Sequence, residues 1–402
     1  MKSTRRKVLQ GASLLGLGPF SKVSLGAKAP TDVYRQLGIQ PVINCRGTHT
    51  VIGASKMWPE LHDAMAEASR HYVVLDELHD KIAARLADLM GCEDAMVTTG
   101  CAGAITLGTC ACLTGMDSAK VRQLPDLSGM KSEAIIQKIH RNGYDHAVRN
   151  AGLKIIEVEG AEQMRNAVSG RTAMMYYLGG ESGDSEWTTD PIPLQDCLEL
   201  GRKAGFPVLV DAANMLPPWD NIRKLSSLKT DLICLSGGKH MRGPQCSGIL
   251  AGRRDLVRAA RLNSSPHPDS LGRPLKVGRE EMVGVWLAAE KYAKLDFGAL
   301  DRQNENQANY LASELEKIPG MQVSHASHDR TRRVHRIRAE WDEKALGIGP
   351  DQCEKQLLDG DPRIAVLRNK RAIVFTLFMN EPGDEKLVAR RMREIFGASR
   401  KG

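Results

Sequence analysis

Aromatic side chains are scarce in this chain, since Trp, Tyr and Phe together make up 4% of its 402 residues. So few rings provide no platform on which nucleic-acid bases would stack and give no sign of a carbohydrate-binding surface. The sequence also lacks internal repeats and low-complexity segments. With 42% hydrophobic and 26% charged residues, it has the composition of an ordinary globular protein, and its length suggests two domains.

The cysteines do not follow the pattern of a disulfide framework or of a metal site. Their number, nine, is odd, and no two of them are spaced as Cys-x-x-Cys. Cys110 and Cys112, two positions apart, are not a metal signature by themselves. The eleven histidines are likewise not grouped at zinc spacing. We therefore predict buried free thiols and no metal.

Excess positive charge is confined to the first 29 residues. Six of the 56 Lys and Arg residues lie there without an acid, which leaves 50 basic against 48 acidic residues in the remainder. A nearly neutral protein has no basic footprint for a nucleic-acid backbone. We therefore predict that nucleic acid is not a partner.

The basic N-terminus has the pattern of an export signal. Residues 4–10, Thr-Arg-Arg-Lys-Val-Leu-Gln, resemble the twin-arginine signal, with Val8 where phenylalanine is usual. The mildly apolar residues 9–20 are too few to span a membrane, and small residues at 24–29 offer a cleavage site. We predict a twin-arginine signal peptide over residues 1–29, the twin-arginine export machinery as a partner, and a periplasmic or exported location. The alternative is a disordered basic tail.

Two strand-like runs end beside a lysine and an aspartate. Residues 207–210 lead into Asp211, and residues 232–235 lead through Ser-Gly-Gly to Lys239. Enzymes that use pyridoxal phosphate (PLP) need this pair, because the lysine forms a Schiff base with the cofactor and the aspartate holds the pyridine nitrogen protonated. Each residue alone is weak evidence, since most lysines are solvated and strand-end aspartates often cap loops.

A third element strengthens this interpretation. The run Thr-Thr-Gly-Cys-Ala-Gly-Ala at residues 98–104 follows a short apolar run and opens a helix-like stretch. Small residues between a strand and a helix let backbone N–H groups close on a phosphate. A tight turn chosen for packing is the alternative. Gly237 and Gly238 would let the backbone approach the cofactor closely. We predict that the cofactor's phosphate is held by Thr99, Gly100, Cys101, Ala102 and Ser236.

The order of these three elements resembles the SelA-like branch of the fold-type I PLP-dependent enzymes, which is related to L-seryl-tRNA(Sec) selenium transferase and D-glucosaminate-6-phosphate ammonia-lyase. The similarity covers roughly residues 33–397. It implies the fold, PLP as cofactor and a homodimer or higher homo-oligomer, whereas the reaction stays open. The transfer-RNA substrate of the selenium transferases is disfavoured by the charge balance and by export. The matching stretches are residues 38–44, 75–78, 211–218 and 276–281, with Arg279 where lysine is expected.

Strand-like and helix-like runs alternate through most of the chain, which predicts an α/β fold with a mostly parallel central sheet. After a long amphipathic helix at residues 280–295, the order becomes helix, two strands, helix, two strands, helix. This is the smaller C-terminal α+β domain expected of the fold. We predict a large PLP-binding domain over residues 30–300 and a small domain over residues 301–402. The predicted strands of the large domain are residues 134–137, 154–158, 173–178, 207–210, 232–235 and 248–251.

The resemblance implies an enzyme that acts at the α-carbon of a small amino acid or amino sugar. Lys239 would be the general base at that carbon, and Asp211 would keep the ring an electron sink. Elimination by a lyase, racemisation, retro-aldol cleavage and group transfer all remain open as outcomes. The alternative function is an exported binding protein that keeps the PLP fold without turnover.

Two further roles are assigned to candidates only. We predict that His140 stacks on the cofactor ring, with Tyr144 and His146 as alternatives. A purely structural role is also open, in which His140 is a strand-end histidine bonded to a neighbouring loop. Arginines near this site would bind a substrate carboxylate, although the alternation around Arg336 equally suits a strand with a solvated face. N-terminal segments of this fold approach the active site, often that of a neighbouring subunit. The candidate arginines are Arg46, Arg338, Arg363 and Arg368.

Overall fold

The computed structural model describes residues 32–180, 190–326 and 334–398. The predicted signal peptide, residues 1–29, lies outside the described residues. Two compact units divide the chain after Pro41. In the described part of the first unit, Asp32 caps a short helix, α1, through hydrogen bonds from two backbone N–H groups. The second unit, from Val42 onward, contains two β-sheets.

Strands and helices are numbered along the described residues. The strands are β1 (Val42–Cys45), β2 (Asp94–Thr98), β3 (Glu133–Gln137), β4 (Lys154–Val158), β5 (Thr172–Leu178), β6 (Val208–Asp211), β7 (Leu232–Ser236), β8 (Gly248–Gly252), β9 (Met321–Ala326), β10 (Arg336–Trp341), β11 (Arg363–Arg368) and β12 (Ala372–Thr376). The helices are α1 (Val33–Gln36), α2 (Pro59–Ser69), α3 (Leu75–Met90), α4 (Gly100–Thr114), α5 (Ser118–Gln123), α6 (His146–Arg149), α7 (Ala161–Ala167), α8 (Leu194–Ala204), α9 (Asp220–Ser227), α10 (Arg254–Leu262), α11 (Arg279–Tyr292), α12 (Phe297–Leu315), α13 (Glu343–Leu346), α14 (Pro350–Leu358) and α15 (Asp384–Ala398). No helix in this part of the chain combines the length and the apolar character that a membrane crossing requires.

The larger sheet has seven strands in the order β2-β8-β7-β6-β5-β3-β4. Its pairs are parallel except those that involve β8, which is antiparallel to both β2 and β7. The smaller sheet has the order β1-β11-β12-β10-β9. Strand β1 comes from near the N-terminus and pairs in parallel with β11, so the smaller sheet is not built from the C-terminal part of the chain alone.

The fold class predicted from the sequence is confirmed. Each strand-like run between residues 134 and 251 is a strand of the larger sheet, with bounds that differ by at most one residue at either end. The predicted order of the C-terminal part is also present, with the short α13 added before α14. The sequence did not reveal the direction of β8, because an apolar run buried on both faces reads alike in either direction.

Helix α4 is buried on almost every side. Twelve of its fifteen residues are buried, and it packs against β6, β7 and β8 on one face of the larger sheet. Gly108 makes this approach close, since a Cβ there would lie 2.7 Å from the Cδ1 atom of Leu209. Because close-packed surroundings resist displacement, the first turn of α4 has a fixed position relative to the strands.

His79 covers the free edge of the larger sheet. It lies on α3, is 8% exposed, and its Nε2 atom accepts a hydrogen bond of 3.0 Å from the backbone N–H of Val97 on the edge strand β2. Burial, and to a smaller extent the nearby charge of Arg261, lower the pKa of His79 to about 4. In the unfolded chain the same ring titrates near its ordinary value of 6.5. Between about pH 4 and pH 6.5 the unfolded state therefore binds more protons than the folded state.

This difference predicts acid sensitivity. Stability that depends on neutral His79 is complete above about pH 6.5 and is lost as the pH falls toward 4. Between pH 7 and pH 5 we expect a contribution of about 2 kcal/mol to the loss of unfolding free energy. His79→Gln keeps an acceptor for Val97 but does not titrate, so urea unfolding of this variant should show a smaller loss than the wild type. His71→Gln, at an exposed histidine, is the control. Equal losses in wild type and His79→Gln would contradict the prediction.

Candidate active site

Three segments selected from the sequence meet at one edge of the larger sheet. Strand β2 ends at Thr98, β6 at Asp211 and β7 at Ser236, and these three strands run in the same direction. The carboxyl ends of such strands form the edge at which α/β proteins bind ligands. The predicted phosphate loop, the aspartate and the lysine loop are therefore brought together by topology.

Asp211 is a buried carboxylate with three hydrogen-bond donors. It is 4% exposed. The hydroxyl of Tyr176 donates to Oδ2 at 2.8 Å, while the thiol of Cys101 and the backbone N–H of Ala213 donate to Oδ1 at 3.3 and 3.0 Å. Donors aimed at both oxygens stabilise a negative charge that burial alone would disfavour. The group is suited to face a cationic ring nitrogen.

The two side-chain donors remain protonated. Burial raises the pKa of the Tyr176 phenol far above its ordinary value, and the negative charge of Asp211 raises it further. Burial likewise raises the pKa of the Cys101 thiol well above its ordinary value, again with Asp211 adding to the effect. Cys101, predicted as part of the phosphate loop, therefore directs its side chain to the aspartate, while its backbone belongs to the first turn of α4.

Lys239 is held in a tight loop beyond β7. Its Nζ atom donates a hydrogen bond of 2.8 Å to Oδ1 of Asn214, three residues after Asp211. Backbone bonds from Arg242 N–H to the Lys239 carbonyl and from Gly243 N–H to the Gly237 carbonyl close the loop. The amine is thus fixed at the same sheet edge as the carboxylate.

The first turn of α4 leaves donors available for an anion. Thr99 is the N-cap residue but makes no side-chain cap bond, and its buried Oγ1 atom has no hydrogen-bond partner among the described residues. Ala102 in the same turn is exposed. Gly248, paired with Ser236, lies so close that a Cβ on it would be 2.4 Å from the carbonyl carbon of Gly100. An unpartnered hydroxyl and free helical N–H groups fit a phosphate, so the residues present fit PLP.

The glycines before Lys239 have a packing reason in addition to the one expected, which stays a prediction. A Cβ on Gly237 would lie 2.2 Å from the hydroxyl of Ser247, and one on Gly238 would lie 2.4 Å from the Cα atom of Gln245. The conflicts are with protein atoms of the same loop and, for Gly237, also with Val285 on α11. Packing of the loop therefore requires both glycines, whatever the distance to the cofactor.

His140 lies in a buried polar cluster. Its ring is 0% exposed, its Nε2 atom is 3.2 Å from Oδ2 of Asp190, and its Nδ1 atom accepts from the backbone N–H of Leu178. The ring also meets Tyr177 edge-on at 4.5 Å. The stacking role stays a prediction, and it requires a ring face that this arrangement buries. The alternatives Tyr144 and His146 are exposed.

A segment near the N-terminus, residues 45–58, lies against the lysine loop. Ser55 donates to the carbonyl of Gly238 at 2.6 Å, and the indole of Trp58 donates to that of Met241 at 2.8 Å. This agrees with the expectation that an N-terminal segment approaches the active site. Here the contact is made within one chain.

His49, in the same segment, lies near several positive charges, including that of Lys239. Burial lowers the pKa of His49, and the charges of Arg46, Lys239 and Arg336 lower it further, in that order. The Nε atom of Arg46 is buried and has no hydrogen-bond partner within the described residues. Arg46, His49 and Arg336 form what we call the cation cluster beside Lys239. Such a cluster is suited to an anionic group.

Of the four arginines predicted as carboxylate ligands, Arg46 lies in this cluster. Arg338 pairs with Glu340, and Arg368 binds Glu354 at 2.8 Å. Arg363 donates to the carbonyl of Leu358. Arg46 is engaged too, because its Nη1 atom donates to the carbonyl of Val366 at 3.3 Å and lies 3.8 Å from a carboxylate oxygen of Glu354. Arg336 was not among the predicted ligands.

Sequence reasoning missed Tyr176, Asn214, His49 and Arg336. Asn214 had a usable signal, since it follows Asp211 in one of the matching stretches. Tyr176 had none, because its contact depends on β5 being the neighbour of β6, with Leu178 opposite Asp211. His49 and Arg336 had no signal either, because they come from distant parts of the chain and meet only in the folded structure.

Comparisons with known proteins agree with this geometry. The family described as Aminotransferase class-V matches residues 160–340. A solved D-glucosaminate-6-phosphate ammonia-lyase superposes with a TM-score of 0.78 at 26% identity, over 92% of this chain and all of the other. This chain is a fold-type I PLP-dependent enzyme. The cofactor and fold predicted for it are confirmed.

Two curated relatives span nearly the whole enzyme. The 5'-C-glycyluridine monooxygenase-decarboxylase of a Streptomyces species is 29% identical over 91% of this chain and 92% of its own. The D-glucosaminate-6-phosphate ammonia lyase of Salmonella typhimurium is 27% identical over 90% of this chain and 98% of its own. The similarity is therefore not limited to the cofactor-binding core.

Gly248→Ala tests the phosphate cradle. The added Cβ meets the backbone of Gly100, which cannot move aside as a side chain does, so the first turn of α4 must shift. We expect the dissociation constant for PLP to rise at least about tenfold, the effect of losing one hydrogen bond to a charged group. Gly170→Ala, at a site with open space, is the matched control. A Gly248→Ala protein that titrates PLP as tightly as the control would contradict the phosphate assignment.

Proposed function

We propose that this enzyme is an exported lyase that eliminates a group from a small amine carrying a carboxylate next to the amine-bearing carbon. One observation carries the substrate class. The cation cluster is centred on His49, which is near enough to Arg46, to Arg336 and to the lysine that Asn214 holds at the sheet edge to feel the charge of all three. An amine bound at Lys239 would thus have its acid group beside positive charge.

The chain's own residues supply the proton chemistry. PLP, when bound, provides an electron sink for negative charge at the substrate's α-carbon. Lys239 Nζ takes the α-proton and is positioned for this by its bond to Asn214. Asp211 holds a proton at the ring nitrogen, and its buried surroundings keep water from competing for that position.

The cation cluster selects the acid group. Two arginines would hold a carboxylate by charge and by forked N–H donors. His49, whose pKa is lowered, adds no third fixed charge at neutral pH. A bound carboxylate would favour the protonated imidazole of His49. Substrate binding and proton uptake by His49 are therefore coupled in this proposal.

Elimination is supported by one of the two relatives, the ammonia lyase, and a sugar-like substrate is supported by both. One of the two is named for the loss of ammonia from an amino-sugar acid phosphate, and the other is named as a monooxygenase-decarboxylase of a glycyl group on uridine. Both names describe an amine-bearing group attached to a sugar-derived body. We therefore place amino-sugar acids first among the substrates, ahead of simple amino acids.

Exchange of the α-proton in heavy water tests the function before any product is known. Amino-sugar acids, with and without a phosphate, and simple amino acids should be compared with amines of the same body that lack the carboxylate. We expect exchange and ammonia release for carboxylated amines and no exchange with Lys239→Ala. If no carboxylated amine exchanges its α-proton with the PLP-loaded enzyme, the proposal is wrong.

Arg46→Gln separates recognition from chemistry. Removing its charge should raise KM for a carboxylated substrate at least about tenfold with a smaller change in kcat, since a hydrogen bond to a charged group is lost. Arg368→Gln is the matched control, because Arg368 also lies beside Glu354 but is not in the cation cluster. Equal kinetics for the two variants would remove Arg46 from the substrate site.

Export rests on the sequence of the first 29 residues. The arginine pair at positions 5 and 6, the short apolar segment and the small residues after it support twin-arginine transport to the periplasm. That route moves folded proteins, and a PLP enzyme would have to take up its cofactor before it is exported.

Replacing both arginines by lysine tests the location. The double variant Arg5→Lys, Arg6→Lys should stay in the cytoplasm with unchanged specific activity, since the pair is an address rather than part of the folded structure. Cell fractionation with an activity assay measures both. A double variant that fractionates as the wild type does would contradict the export proposal.

A further inference from the structure

We propose that Cys101 and Tyr176 are positioning residues that keep Asp211 ionised opposite the cofactor's ring nitrogen and so set how strongly the ring accepts electrons. The inference rests on the PLP-dependent function and goes beyond it. It assigns a role to a cysteine and a tyrosine that the proposed proton chemistry does not use.

The two donors reach the carboxylate from different elements. Tyr176 comes from β5, the strand beside β6, and binds Oδ2. Cys101 comes from the first turn of α4 and binds Oδ1, the same oxygen that accepts from the backbone of Ala213. Both carboxylate oxygens are therefore oriented before any ligand binds.

Their chemistry fixes the direction of each bond. Burial and the adjacent Asp211 charge raise the pKa of both groups well above the ordinary values, so both remain donors at any physiological pH. The same effect excludes Cys101 as a nucleophile, because reaction requires the thiolate. Its thiol is 9% exposed, which also limits access for an oxidant.

A proton shared between a ring nitrogen and a carboxylate has two positions. It can lie on nitrogen, which gives an ion pair, or on oxygen, which gives two neutral groups. Hydrogen bonds to a charged acceptor are stronger than those to a neutral one. Donors on Asp211 therefore favour the ion pair, and each one shifts the balance toward protonated nitrogen by about tenfold.

Cys101 also connects the two ends of the cofactor site. Its backbone lies in the first turn of α4, which offers N–H groups for the phosphate, while its side chain holds the aspartate. Because α4 is packed on nearly all sides, the distance between its first turn and Asp211 is fixed. One residue thereby ties the phosphate position to the charge that faces the ring.

The next residue of β5 provides a matched control. Tyr177 lies on the opposite face of the strand, as alternation requires, and its hydroxyl binds Asp190 instead of Asp211. Tyr176→Phe and Tyr177→Phe make the same chemical change in the same strand. Only Tyr176→Phe removes a donor from Asp211, whereas Tyr177→Phe removes one from Asp190.

The test is nuclear magnetic resonance of the full enzyme loaded with PLP that is isotope-labelled at the ring nitrogen. We expect the wild type, Tyr177→Phe and Cys101→Ser to show a protonated ring nitrogen. Tyr176→Phe and Cys101→Ala should move the resonance toward the neutral form, and the double variant should move it furthest. Serine restores a donor of nearly the same size, which separates donation from packing.

The outcomes distinguish this inference from the function on which it rests. If labelled PLP does not bind the wild type, the PLP function and the inference both fail. If PLP binds and the resonance is the same in all variants, the inference fails while the function stands. If Cys101→Ser shifts the resonance as much as Cys101→Ala, the thiol acts through packing and its assigned role is wrong.

Discussion

A buried carboxylate that must stay charged is the constraint on which this site depends. Asp211 sits at the end of β6, where burial disfavours its negative charge, and the surrounding elements compensate with donors. Its strand must have β5 as a neighbour for Tyr176 to reach it, and α4 must begin directly above the sheet edge for Cys101 to do so. The order of the strands and the position of α4 together place the donors that stabilise the charge of Asp211.

The second requirement is that two distant parts of the chain meet at Lys239. Strand β1 is hydrogen-bonded to β11 in the smaller sheet, and the segment that follows it contacts the lysine loop through Ser55 and Trp58. Arg46 and His49 lie on this connection, so the residues beside the lysine are positioned by both sheets. Positive charge at the site is thus a product of tertiary structure.

This contrast explains what the sequence predicted and what it did not. Asp211, Lys239 and residues 99–102 could be selected from the sequence because each follows a strand-like run by a few residues, and the ends of parallel strands meet at one edge. The direction of β8, the bond from Tyr176 and the place of Arg336 depend on which strands are neighbours. Hydrophobic patterning does not encode that order, because buried strands have similar runs.

The glycines show the same limit at the level of single residues. Gly237 and Gly238 were predicted to leave room for a cofactor, and the structure adds close contacts with Ser247, Val285 and Gln245 that the sequence did not indicate. Gly248, which carried no signal, is paired with Ser236 and lets the first turn of α4 lie close to that pair. A glycine in a motif indicates that another group approaches the backbone closely. Only the structure shows which atoms those are. The cofactor site is therefore shaped as much by packing behind the motif as by the motif itself.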